Sequence, residues 1–218
     1  VLLNAEKFKE AIPVLIAFRT RHPDSPLSQD IPEKLAVAYE KSDDLGNAAL
    51  QYQAIAARDQ KKNPAASREA LWLAAETFEK IKQPEQALKI YQQYSADTTN
   101  PVDLRAEAVY RIYTYNDKNN LVTEAQSSLK NLAQIYDKLG DKAPPRIRYF
   151  GALAHFKMTQ PLYDNFAAIT LKQPLKPNLL AKKKAMQAAL IAYNQVANIG
   201  IAEFTTAANY QQAQIYQK

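Results

Sequence analysis

The sequence predicts an all-α chain of stacked antiparallel helix pairs, and three observations carry that expectation. Ala, Leu, Gln, Lys and Glu are abundant while only 4 of 218 residues are glycine, and these side chains lose little rotamer freedom in a helix. Most of the 12 prolines fall between apolar-periodic segments and not inside them. An alanine-centred pattern recurs at Ala11, Ala48, Ala87 and Ala125, with separations of 37, 39 and 38 residues. Few stretches alternate apolar and polar residues with β-branched enrichment, so strands are not expected. Apolar residues make up 47% of the chain, enough for a continuous core.

The elements follow in order. Ala11 is followed by Leu15 and Phe18, Ala48 by Tyr52 and Ile55, Ala87 by Tyr91 and Tyr94, and Ala125 by Leu129 and Leu132. An apolar residue four and seven positions after each alanine is the stripe of an amphipathic helix. A second helix precedes the alanine. It holds Leu35, Ala36 and Tyr39 in one copy and Leu71, Ala74, Ala75 and Phe78 in the next. In both, the aromatic lies nine positions before the aligned alanine and a small residue three before the aromatic. Antiparallel helices need small side chains where their axes approach and large ones where the gap widens. Breakers separate the copies at His22-Pro23-Asp24-Ser25-Pro26, Asn63-Pro64, Thr98-Thr99-Asn100-Pro101 and Ala143-Pro144-Pro145. The pattern predicts helices over 5–21, 30–41, 44–61, 65–81, 84–96, 101–117, 120–139, 145–158, 178–198 and 202–217.

These residues resemble the tetratricopeptide repeat (TPR) family: small-x-x-aromatic on the first helix, a turn, then Ala with a large residue four on. The resemblance implies an α-α superhelix, a right-handed solenoid of about five antiparallel helix pairs. It covers nearly all of the chain except about 159–178. The family repeat is nominally about 34 residues, and this one runs 37–39. The family's first-helix Trp position is Leu71 in the third copy, with Trp72 one place over. Longer repeats with a Pro-Asp-Ser-Pro type linker are similar to those of bacterial cell-envelope TPR proteins. That likeness implies a periplasmic or envelope-associated scaffold, with the cytoplasm as the alternative.

The fifth unit departs from the pattern. Phe150, Gly151, Ala154, His155 and Phe156 open it, followed by Pro161-Leu162-Tyr163-Asp164-Asn165-Phe166 and Lys172-Gln173-Pro174-Leu175-Lys176-Pro177. The spacing predicts an insertion at about 159–178, in a loop of the kind that repeat arrays place on their binding face. Residues 1–218 read as one array that begins in a second helix and ends in a first, as a fragment of a longer solenoid would.

Composition excludes several function classes. There is no cysteine, so no disulfide framework, thiolate nucleophile or cysteine zinc site. No apolar run reaches the ~18 residues of a transmembrane helix. Val1 to Phe18 carries Glu6, Lys7, Lys9 and Glu10, unlike a signal peptide. No Gly-x-Gly-x-x-Gly or Gly-x-x-x-x-Gly-Lys loop occurs. Residues 1–109 hold 14 Lys and Arg against 16 Asp and Glu, whereas residues 110–218 hold 14 against 6. The second half therefore carries the positive field, suited to an acidic partner.

Candidate sites are few. His22 and His155 stand 133 positions apart and read as a linker residue and a helix residue, because a metal site needs several ligands. No metal or cofactor is expected. Asp43-Asp44 precede Leu45, where Asp caps a helix, so they read as caps and not as an acid–base pair. The partner-binding candidates are Glu69, Trp72 and Glu76, with Glu79 on the same face, since a Trp ringed by carboxylates suits a peptide anchor. Glu107, Arg111 and Tyr115 continue them at i, i+4 spacing, so that a groove would run from acidic to basic. Lys172, Lys176, Lys182, Lys183 and Lys184 form the densest basic group, a docking patch for an acidic protein, an anionic lipid or a polyanion. It has no Arg, and only Tyr163 and Phe166 are nearby for stacking, so specific nucleic-acid binding is not expected. The expectation is a non-enzymatic scaffold that binds a protein or peptide segment in a concave groove; polyanion or glycan binding through the basic half is the alternative.

Overall fold

The computed structural model describes residues 2–218. Among them the chain is all-α, with no strand. Ten α-helices follow one another: α1 (Phe8–Arg21), α2 (Ile31–Lys41), α3 (Leu45–Asp59), α4 (Pro64–Lys80), α5 (Pro84–Ala96), α6 (Val102–Lys118), α7 (Val122–Leu139), α8 (Pro145–Ala168), α9 (Leu175–Asn198) and α10 (Ala202–Gln217). They fall into two compact units, one up to Asn100 and one spanning Pro101–Lys218. Within each unit, consecutive helices pack on one another, as the stacked-pair expectation requires.

The repeat has a backbone origin as well as a side-chain one. Ala11, Ala48, Ala87 and Ala125 are each the fourth residue of their helix and are buried to 6% exposure or less. Five residues before each lies a residue with positive φ: Glu6, Asp43, Lys82 and Asn120, all between 56° and 63°. The N–H following it bonds back five residues, from Lys7 to Leu2, Asp44 to Tyr39, Gln83 to Phe78 and Leu121 to Asn116, at 2.9–3.0 Å. This is the left-handed helix stop in which the N–H of the second residue past the helix satisfies an end carbonyl. At Asp43, Lys82 and Asn120 it turns the chain in three residues and lays the next alanine against the helix just ended; at Glu6 it follows a turn and not a helix.

α9 and α10 are joined by a related turn without the five-residue return bond: the Ile199 and Gly200 N–H groups bond back three residues, to Val196 and Ala197. Their turn is also three residues long, and Gly200 takes the middle position at φ 78°. α10 packs back on α9, which also packs on α8. Arg148 of α8 pins the turn by donating to the Ile199 carbonyl at 2.7 Å.

The region 159–178 is mostly helix, where a loop was expected. α8 runs through Pro161 to Ala168. A proline inside a helix removes one hydrogen bond, here to the carbonyl of Lys157, an exposed residue that water can reach. One turn later Phe166 is buried and belongs to the core of the second unit, which keeps the helix in place. Pro177 lies in the first turn of α9, where its missing N–H leaves no acceptor unpaired. Only residues 169–174 form the connection.

Gly151 sets the α7–α8 spacing. A Cβ built on it would stand 2.3 Å from Tyr136 Cγ, so only glycine lets the Tyr136 ring lie against the α8 backbone.

Candidate functional site

In the first unit, α4 carries Glu69, Trp72, Glu76 and Glu79. Trp72 is half-buried. Its ring meets the edges of Tyr91 and Tyr94 of α5 at centroid distances of 5.3 and 5.2 Å, an edge-to-face geometry that stabilises aromatic pairs. Trp72 is thus a packing residue first, and only the part left by the two tyrosines faces outward. Glu69 and Glu76 are exposed, while Glu79 accepts a hydrogen bond from the Tyr91 hydroxyl at 3.0 Å. The ring of carboxylates around a free indole is not what the residues form.

Beside Trp72, α3, α4, α5 and the segment after α5 enclose a cavity of about 220 Å³ that sequence reasoning missed. Gln53, Gln60, Arg68, Gln93, Asp97 and Asn100 supply its polar lining, and Ala56, Leu71 and Tyr94 its apolar floor. Its walls are fixed locally. Ser67 donates to the Ala56 carbonyl at 2.7 Å, tying α4 to α3, and buried Asn100 donates to the Tyr94 carbonyl at 2.8 Å. Three glutamine amides, each both donor and acceptor, one guanidinium and the back of Tyr94 make a surface that can hydrogen-bond a peptide backbone. Arg68 stands one turn before Trp72 on α4, and Trp72 packs on Tyr94, which lines the cavity. Gln53 and Gln60 stand two turns apart on α3 and its C-terminal cap, and Gln93 comes from α5, so only the packing of α3 near α5 brings the three amides to one cavity.

In the second unit, Glu107 and Arg111 of α6 meet as expected, with Arg111 Nε donating at 3.3 Å. A partner the sequence did not suggest joins them: Arg146 of α8 donates to both Glu107 oxygens at 2.9 and 3.2 Å. The Arg146 guanidinium lies 4.5 Å over the Phe150 ring and 5.3 Å over Tyr110. Tyr110 stacks on Phe150 at 4.6 Å. Donation to the Glu107 carboxylate holds the Arg146 pKa above its ordinary value. Glu107 therefore serves chiefly as an internal clamp between α6 and α8. Tyr115 is half-buried one turn beyond Arg111. Arg146, directly after Pro145 at a helix start, carries no sequence signal for this role.

The basic group divides. Lys172, Lys176, Lys183 and Lys184 are exposed. Lys182 is not part of an open patch: its ammonium donates to the Ile169 carbonyl at 3.3 Å and sits 5.0 Å over the Phe166 ring, holding the end of α8. Phe166 is buried, and Tyr163 is half-buried beneath Lys218 at 5.2 Å, so neither offers a free stacking face.

The remaining candidates have structural places. Asp44 caps α3 by accepting from the Asn47 N–H at 3.3 Å, and Asp43 is the left-handed turn residue before it. His22 lies against Phe18 at a 5.0 Å centroid distance, and His155 meets Asp137 at 2.9 Å.

No model of a known protein family matches the chain, and no curated protein matches it. Geometry and the sequence pattern therefore carry the functional argument.

Proposed function

We propose that this chain is a protein-interaction scaffold that binds an extended peptide segment and catalyses no reaction. The observation that carries the reading is the amide-lined cavity beside Trp72. Gln53, Gln60 and Gln93 match the alternating donors and acceptors of a peptide backbone, Arg68 suits a carboxylate, and the outward part of Trp72 offers a rigid aromatic contact of the kind typical of interface anchors. The resemblance of the repeat to the TPR family, whose members bind protein segments, supports the same reading. The likeness of its 37–39-residue period to envelope TPR proteins supports a place in a bacterial envelope assembly.

Selection of displayed random peptides on the full chain tests this. Enriched peptides are expected to carry a carboxylate and to lose at least tenfold in affinity on Arg68→Ala, about the 1.4 kcal/mol that a charge-assisted hydrogen bond supplies. Trp72→Phe, which keeps the packing against Tyr91 and Tyr94, is expected to weaken binding less. Affinity that persists from low to moderate salt separates groove docking from polyanion capture, which falls steeply over that range. Enriched peptides indifferent to both substitutions would overturn the assignment.

A further inference from the structure

We propose that the outward face of α9 seats the chain on an anionic lipid surface. The proposal does not rest on the peptide cavity, which lies in the other unit.

Lys176, Leu180, Lys183, Lys184, Gln187 and Ile191 succeed one another at i, i+4, i+7, i+8, i+11 and i+15, a single stripe along the helix. α9 packs against α8 and α10 through its other side, where Ala185, Ala189, Tyr193 and Val196 are buried. The stripe is left facing solvent, with Leu180 70% and Ile191 59% exposed. Leu179 and Leu175 are exposed at the same end of the helix, and Leu171 and Lys172 just before it.

Charge and apolarity coincide here in a way that helix packing does not explain. A helix–helix seam would not carry three lysines among its apolar positions, because their ammonium groups would lose hydration without partners. No carboxylate side chain occurs between Asp164 and Glu203, so nothing along the stretch offsets the positive field. An anionic bilayer interface satisfies both halves of the stripe. Leu180 and Ile191 enter the boundary between headgroups and acyl chains, and the lysines extend along it to the phosphates. A nucleic acid would use the lysines and leave the aliphatic side chains wet, and the stripe offers no Arg or aromatic residue for it. An acidic peptide helix would need a groove, and one helix face does not supply it.

Flotation of the full chain with phosphatidylcholine vesicles containing phosphatidylglycerol, against phosphatidylcholine alone, tests the proposal. Binding is expected only to the first and is expected to weaken with salt. The variant Lys176→Gln/Lys183→Gln/Lys184→Gln is expected to lose about tenfold or more in partitioning. Leu180→Ser/Ile191→Ser is expected to lose several-fold, while binding of inorganic polyphosphate stays unchanged. All five positions are exposed, so helix content by circular dichroism should hold in both variants. Should one lose it, the salt titration of the unmodified chain on the two vesicle types still decides. Absence of binding to phosphatidylglycerol vesicles, or equal binding by the Leu180→Ser/Ile191→Ser variant, overturns the proposal. Arg68→Ala should leave flotation unchanged, which keeps this test separate from that of the peptide site.

Discussion

Gly151 shows how much one atom decides. The Tyr136 ring occupies the space a side chain would need, with three ring and stem atoms within 2.7 Å of the added Cβ. These atoms sit near the start of the Tyr136 side chain, where a rotamer change cannot move them far. Gly→Ala in an exposed helix normally stabilises by up to about 1 kcal/mol. Here the overpacking penalty of about 1–3 kcal/mol or more outweighs it. Gly151→Ala should therefore lower the urea midpoint at unchanged slope, and Tyr136→Ala should recover part of the loss in the double variant. A midpoint that rises would mean the two helices are free to separate. Other residues teach the same lesson about composition. Trp72 and Lys182 read as free binding groups because their types are common at interfaces. Their neighbours turn them inward: Tyr91 and Tyr94 for the indole, the Ile169 carbonyl and the Phe166 ring for the ammonium. Such partners lie one helix away and leave no mark on local spacing.

At the scale of elements, the helix pairs were legible because burial imposes a period on side chains. Ala, +4 and +7 repeat four times, and the structure buries them as a stripe except at Leu15, Phe18 and Tyr52, which are half-buried. The turns were less legible, because backbone conformation there is shared by unlike residues: Glu6, Asp43, Lys82 and Asn120. Only Asn and Asp tolerate positive φ readily. Lys82 pays the left-handed penalty without the local hydrogen bonding of Asn or Asp, and the turn persists because the Gln83–Phe78 bond and the burial of Ala87 over-determine it. Glycine at Lys82 relieves the strain but widens the unfolded ensemble, so Lys82→Gly should change stability little or raise it by up to about 1 kcal/mol. A β-branched residue suffers the full clash, and Lys82→Val should fall about 1–2 kcal/mol below Lys82→Gly. Chemical denaturation of the pair checks the order, and equal midpoints would show that the turn rearranges. The extension of α8 past Pro161 was illegible for a related reason. Proline reads as a breaker, yet its cost is modest when the freed carbonyl is exposed and Phe166, one turn on, is buried.

At the scale of the whole molecule, the second unit is bound by one continuous apolar cluster that runs from α6 to α10 and includes both Tyr113 and Tyr193. Burial raises the pKa of each phenol to about 12, and the carboxylates Asp117 and Asp164, respectively, add to it. A folded-state pKa above the unfolded value of 10.0 means that the native unit binds protons more tightly than the unfolded chain. The stabilisation is complete below about pH 10 and is lost as pH rises through about 12. Because both phenols sit in one cluster, ionising either places a charge in packing shared by five helices. Tyrosinate absorbance from these residues should then rise together with loss of helical circular dichroism, in one transition. Tyr113→Phe/Tyr193→Phe should move that transition to higher pH. The Tyr193 hydroxyl is buried without a hydrogen-bond partner, so removing it should cost little at neutral pH. Tyrosinate that titrates near pH 10 with the helices intact would show that the cluster opens locally, and that the second unit is not the single cooperative body its packing describes.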